Sequence, residues 1–88
     1  MDLVKGMRAN ARWALTGYQP GMIFQVEFGD GVRRPLTVLA GRGEILVAHP
    51  TAPAGEGVVL SRGRHVCTIW VTAGAQDYPI PAGIIYVK

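Results

Sequence analysis

The stretch MIFQVEF, residues 22–28, sorts its side chains onto two faces: Met22, Phe24, Val26 and Phe28 on one, Ile23, Gln25 and Glu27 on the other. A side-chain period of two belongs to a half-buried β-strand. GDG at 29–31 follows, and glycine and aspartate tolerate the positive φ of a tight turn. VRRPLTVL, residues 32–39, then reads as the return strand, with Pro35 placing it at a sheet edge or bending it, because proline has no N–H to give.

The same grammar continues outward. AGRG at 40–43 turns the chain, EILVA at 44–48 is a third strand, and HPTAPAGEG at 49–57 is a loop. VVL at 58–60 and HVCTIWVT at 65–72 flank SRGR, which reads as another hairpin turn. Residues 78–88, YPIPAGIIYVK, form an extended C-terminal arm and a last strand over 84–88. Residues 1–17 are an N-terminal arm or first strand. Leu3, Val4, Met7, Ala11 and Leu15 have helical spacing and Asp2 could cap a helix, but Gly6 and Asn10 weaken one. The extended reading, carrying Trp13, is preferred. The expectation is all-β: one small domain over residues 1–88, a barrel or sandwich of about six short antiparallel strands with extended terminal arms.

Composition bounds the function. With 88 residues there is room for one domain, and domains this small often gain stability by oligomerising. Only 17% of residues are charged, against about 25% in ordinary soluble domains. That deficit points to surface covered by other chains. The net charge of +3 comes from seven Arg and two Lys against six acids. It is compatible with an anionic partner, but no strand interleaves basic with aromatic residues, so nucleic-acid binding is unsupported. Cys67 stands alone in an apolar run and reads as a buried, inert thiol. Neither His49 nor His65 has a neighbour at metal-ligand spacing, and no glycine motif fits a nucleotide. No metal and no cofactor are expected. The first fifteen residues lack the apolar core of a signal peptide, and no segment approaches the ~20 apolar residues of a membrane helix. Synthesis in a cytoplasm, with no membrane partner, is the expectation.

If the strands ran up and down, the 29–31 turn and the 49–57 loop would share one end. Arg33 or Arg34 could then approach His49 and Thr51. An arginine beside a hydroxyl and an imidazole could hold a phosphate, stabilise developing charge and move a proton. The plainer reading is a turn charge, a loop histidine and a loop threonine. PGMIFQVEFGDGVRRPLTVLAGRGEILVAHPT, residues 20–51, resembles the opening half of MazF/PemK-type toxin ribonucleases. That resemblance implies a small SH3-like barrel that dimerises and cleaves RNA without metal. It also implies that Arg34, before Pro35, stands for the catalytic arginine and Thr51 for the hydroxyl, with His49 nearby.

Other residues suit docking. Arg42, Arg62 and Arg64 lie in the turns AGRG and SRGR and would make a positive rim at the other end. Trp13 and Trp70 read as core or interface anchors, and Tyr78, between Asp77 and Pro79, as an exposed contact. In general character the chain is similar to small all-β accessory proteins of phage particles, the head decoration and cement proteins. The expectation is therefore a non-enzymatic structural module that docks into a larger homo- or hetero-oligomeric assembly, a virion among the settings considered. Its partners would be copies of itself or a larger scaffold. Arg42, Arg62, Arg64, Tyr78 and Trp13 are the expected interface residues. The metal-independent ribonuclease using Arg34, Thr51 and His49 is the alternative, and a nucleic-acid-binding barrel a further one.

Overall fold

Alternating side chains, tight turns and well-placed prolines divide the chain into nine strands and no helix. In the computed structural model, which describes residues 1–88, these are β1 (Asp2–Leu3), β2 (Arg8–Ala14), β3 (Ile23–Glu27), β4 (Arg33–Pro35), β5 (Thr37–Leu39), β6 (Arg42–Ala48), β7 (Val58–Val59), β8 (Gly63–Ala73) and β9 (Gln76–Val87). The all-β, single-domain expectation holds. There are more strands than the six expected, and β8 and β9 are long. No helix is present that is long and apolar enough to cross a membrane.

In β3 the two faces separate as the alternation requires. Phe24, Val26 and Phe28 are buried, while Ile23 is 57% exposed. The return strand is broken in two. Its first part, β4, pairs with β3; after Pro35 the chain leaves, and β5 pairs with β6 in the other sheet. Leu36, buried at the crossing, still donates its N–H to Phe24 O at 3.0 Å. One strand of the sequence thus serves two sheets, with the proline at the bend. Ala40 and Gly41 then close the β5–β6 hairpin with φ of 50° and 75°. Two positive φ values at the centre of a two-residue loop define a type I′ turn.

The strands form a sheet ordered β1-β9-β8-β3-β4 and a second ordered β2-β6-β5, with β7 also on β6. β2 covers one edge of β6 along its whole length; β5 and β7 share the other edge. Two short pairings are parallel, β1 with β9 and β7 with β6, so the arrangement is not the simple up-and-down layout. SRGR is not a hairpin turn either: β7 pairs with β6, and β8 pairs with β9 and β3. The true hairpin joins β8 to β9 around Gly74 and Ala75. The proline-bearing arm is the first half of β9 itself.

The core lies between the sheets. Leu3, Val26, Val47, Cys67 and Ile85 are its most deeply buried members. Between β8 and β9 the register slips at Cys67, so that Ala82 and Gly83 together oppose one residue. This is a β-bulge, and Gly83 adopts the positive φ of 80° that such a kink asks for. The terminal arms are strands. Met1 O accepts from Tyr86 N at 2.9 Å, and Leu3 O from Lys88 N at 3.0 Å.

Candidate functional site

The two arginines of the opening hairpin lie on β4, and both are already engaged within the chain. Arg33 faces outward opposite Glu27, on the solvent side of the five-stranded sheet. Its guanidinium lies 3.8 Å from the centroid of the Trp70 ring and 2.8 Å from Asp77 Oδ2. Trp70 Nε1 donates to Glu27 Oε1 at 3.1 Å, and Thr72 Oγ1 donates to Asp77 Oδ1 at 2.7 Å. Four adjacent strands thus contribute one continuous chain: Glu27, Trp70, Arg33, Asp77, Thr72. The hydrogen bond from Arg33, with that from Thr72, holds the Asp77 carboxyl below the usual carboxylate range.

Arg34 pairs with Asp30 at 3.1 Å, and its guanidinium lies 5.7 Å from the Phe28 ring centroid. Asp30 also accepts from Val32 N at 3.0 Å. That backbone bond, reinforced by Arg34, lowers the Asp30 carboxyl pKa. A phosphate arriving here would have to displace a carboxylate from each arginine.

His49 and Thr51 do come together, the imidazole buried and the threonine at the surface above it. His49 is 1% exposed. Its Nδ1 lies 3.1 Å from Thr51 N and 2.9 Å from Thr51 Oγ1. A backbone N–H can only donate, so Nδ1 is the bare, accepting nitrogen. Nε2 then carries the proton and donates to the main-chain oxygen of Lys88 at 2.7 Å. Thr51 Oγ1 in turn accepts from Gly6 N at 2.8 Å. The neutral imidazole ties the end of β6 to the N-terminal loop and to the last residue. Every polar atom of the ring is used, and none faces solvent. Arg34 makes no hydrogen bond or ion pair with either residue, and neither cavity in the fold is lined by Arg34, His49 or Thr51.

The expected interface residues separate by role. Arg42 starts β6, Arg64 lies near the start of β8 opposite Tyr86, and Arg62 precedes it in the connecting loop. All three are exposed, and none forms an ion pair. Tyr78 is 48% exposed, but on a strand rather than a loop; its hydroxyl bonds the side chain of Gln76. Trp13 is half-buried against the core, and Nε1 donates to Ala82 O at 2.8 Å. Trp70 is not a core residue. Ile69 and Val71 take the inner face, and Trp70, between them, packs under Arg33.

Cys67 is buried, and loss of water around it pushes the thiol pKa up. That makes it a poor nucleophile. An open cavity of about 430 Å³ lies at the bulge, walled by Val66, Thr68, Pro79, Pro81 and Ile84. A second, of about 200 Å³, lies between the edges of the two sheets and is walled by Met1, Ala11, Trp13, Ala82 and Ile84 among others. The sequence reading missed both the Arg33–Trp70–Asp77 chain and the bulge. The first needs the strand order before its members can be seen as neighbours; the second was signalled by Gly83, two residues after Pro81 in a β run. The chain matches no protein-family model, no curated protein and no solved structure, so its function rests on this geometry alone.

Proposed function

We propose that this protein is a non-enzymatic docking module, a small β-domain that assembles with copies of itself or with a larger scaffold. One observation carries the reading. Eleven large apolar side chains, Val59, Leu39 and Ile23 the most open, remain exposed in a chain with only 16 buried residues. Scattered exposed apolar groups are ordinary, but this many on so small a surface favour burial against another chain. The interior supports the same reading: its one buried polar side chain, His49, is wholly occupied in tying strands together. A decoration or cement role on a phage particle is the finer form of the proposal. Arg42, Arg62 and Arg64 would add polar contacts around the apolar ones.

Two assays test it. Sedimentation velocity over a wide concentration range is expected to show self-association, or association with an added scaffold. Unstructured RNA incubated with the protein in EDTA is expected to stay intact. RNA cleavage by the wild type that disappears in Arg34→Ala would replace the docking reading with the ribonuclease one.

A further inference from the structure

A sheet edge offers a row of unpaired N–H and C=O groups to any strand that can reach it. The edges of this fold are unequal. β4 ends one side of the five-stranded sheet. Leu36 N turns inward to Phe24 O, so Pro35, its neighbour, presents the outer side, without a donor. On the other side, β8 pairs with β9 straight past Pro79 and Pro81. These prolines stand two apart and so share one side of the strand. An unbroken ladder to β8 puts that side outward, where their missing hydrogens leave no donor. Beyond the bulge the outer groups of Tyr86 and Lys88 are taken by Met1 and Leu3. β1, β5 and β7 span two or three residues each.

β2 is different. It runs for seven residues without proline and pairs only with β6. His49 N donates to Met7 O and Leu15 N to Gly41 O, which fixes the odd-numbered residues as the inward-bonding ones. The N–H and C=O groups of Arg8, Asn10, Arg12 and Ala14 therefore point away from β6, and no partner meets them. Alongside this edge lies the cavity of about 200 Å³ with Met1, 44% exposed, on its rim.

We infer that the outer edge of β2 is a seam at which two copies of this chain pair antiparallel, an inference that rests on the docking-module reading. The strand's own sequence, RANARWA, selects the partner and the register. With Ala11 on the two-fold axis, the outward residues meet as Arg8 with the partner's Ala14 and Asn10 with the partner's Arg12. Each Trp13 then lies opposite a small Ala9. No like charges face each other, and the side-chain oxygen of Asn10 can accept from the opposing guanidinium. Sliding two residues in all toward the N-terminus sets Arg8 against Arg12; sliding as far the other way sets Arg12 against itself. Like charges directly opposed destabilise a pair. A closed two-fold assembly follows, with β2 at the centre of a sheet continuous across both copies.

The experiment combines sedimentation velocity with residue-resolved amide exchange on the wild type over a dilution series, beside Asn10→Pro and Asn10→Lys. Asn10 is exposed and its N–H is unused within the fold, so both variants keep the intrachain ladder; circular dichroism checks this. The wild type is expected to move from one chain mass to two with rising concentration. The Asn10 and Arg12 amides should slow at least ~10-fold across the same transition, as hydrogen-bonded amides do. Asn10→Pro removes a central donor and Asn10→Lys opposes the partner's Arg12, so each should remain a single chain at concentrations where the wild type is paired. Association in which those two amides stay fast would overturn the seam while leaving the docking reading intact. A wild type that stays a single chain at every concentration would overturn the seam and remove self-assembly from that reading.

Discussion

Trp13 Nε1 donates to the main-chain oxygen of Ala82 at 2.8 Å, and this one bond joins β2 of the smaller sheet to β9 of the larger. It bridges the open side of the fold, where no backbone ladder connects the sheets. Replacing Trp13 with Phe keeps an aromatic body and deletes the donor. The expected loss is about 1 kcal/mol of unfolding free energy, the ordinary worth of a partly buried hydrogen bond. Urea denaturation checks it, and an unchanged midpoint would show that the bond does not hold the sheets together.

The stack of Arg33 on Trp70 predicts a difference between two cations. Arg33→Lys keeps the charge but loses the planar face and the fork that reaches Asp77. Stability is expected to fall by roughly 0.5–1 kcal/mol, the scale of an exposed cation–π contact. Trp70 fluorescence should also shift, because the guanidinium no longer lies 3.8 Å from the ring centroid. Equal stability and an unmoved spectrum would reduce the stack to coincidence.

Asp30 and Asp77 set a pH response. Both carboxyls titrate below their ordinary value of 3.8 in the folded state, Asp30 chiefly through Val32 N and Asp77 chiefly through Arg33. The folded chain therefore binds fewer protons than the unfolded chain across that acidic window. Their contribution is present in full above the unfolded pKa and drains away as the pH drops through the folded values. In Arg33→Ala the Asp77 titration, followed by carboxyl NMR, should move back up toward 3.8 while Asp30 stays put.

His49 and Thr51 predict a stability effect at the chain end. His49→Ala leaves a void and strands the donors that met the ring, and should cost about 2–4 kcal/mol. Thr51→Ala should cost about 1 kcal/mol, because Gly6 N loses its acceptor. Thermal unfolding of the two single variants and the double variant checks both. The double variant should cost less than their sum, since the residues share one network.

Ala40 offers a gain. It sits at φ 50° in the first central position of a type I′ turn, where a Cβ is unfavourable and Asn or Gly is preferred. Ala40→Asn, making Asn-Gly with the existing Gly41, should stabilise by about 0.5–1 kcal/mol, visible as a raised melting temperature.

Local order was legible in the sequence, and long-range order was not. Phe24, Val26 and Phe28 announce their inner face by period alone, and Pro35 announces an edge. Nothing local says that Thr37 will abandon β3 for β6, or that Val58 and Val59 will run parallel beside Val47 and Ala48. Those pairings follow from which apolar faces remain to be covered once the rest has folded. Trp70 shows the same limit. Its size suggests the core, but Ile69 and Val71 on either side claim the inner face, and the period of two sends Trp70 outward. At the candidate site, the contact of His49 with Thr51 is a two-residue spacing and could be read directly. The separate engagement of Arg34 with Asp30 could not, because it depends on how the turn between them folds.

The pairing of Met1 and Leu3 with Tyr86 and Lys88 has a consequence for folding. β1 finds its place only against the far end of β9, more than 80 residues along the chain. β3 likewise waits for β8, which begins 36 residues after β3 ends. Contacts this distant along the chain make folding slow, because loops must close before any contact rewards them. The larger sheet is complete only once residues 84–88 have reached residues 1–3. Until those distant strands meet, β1 and the inner face of β3 are open to whatever meets them first.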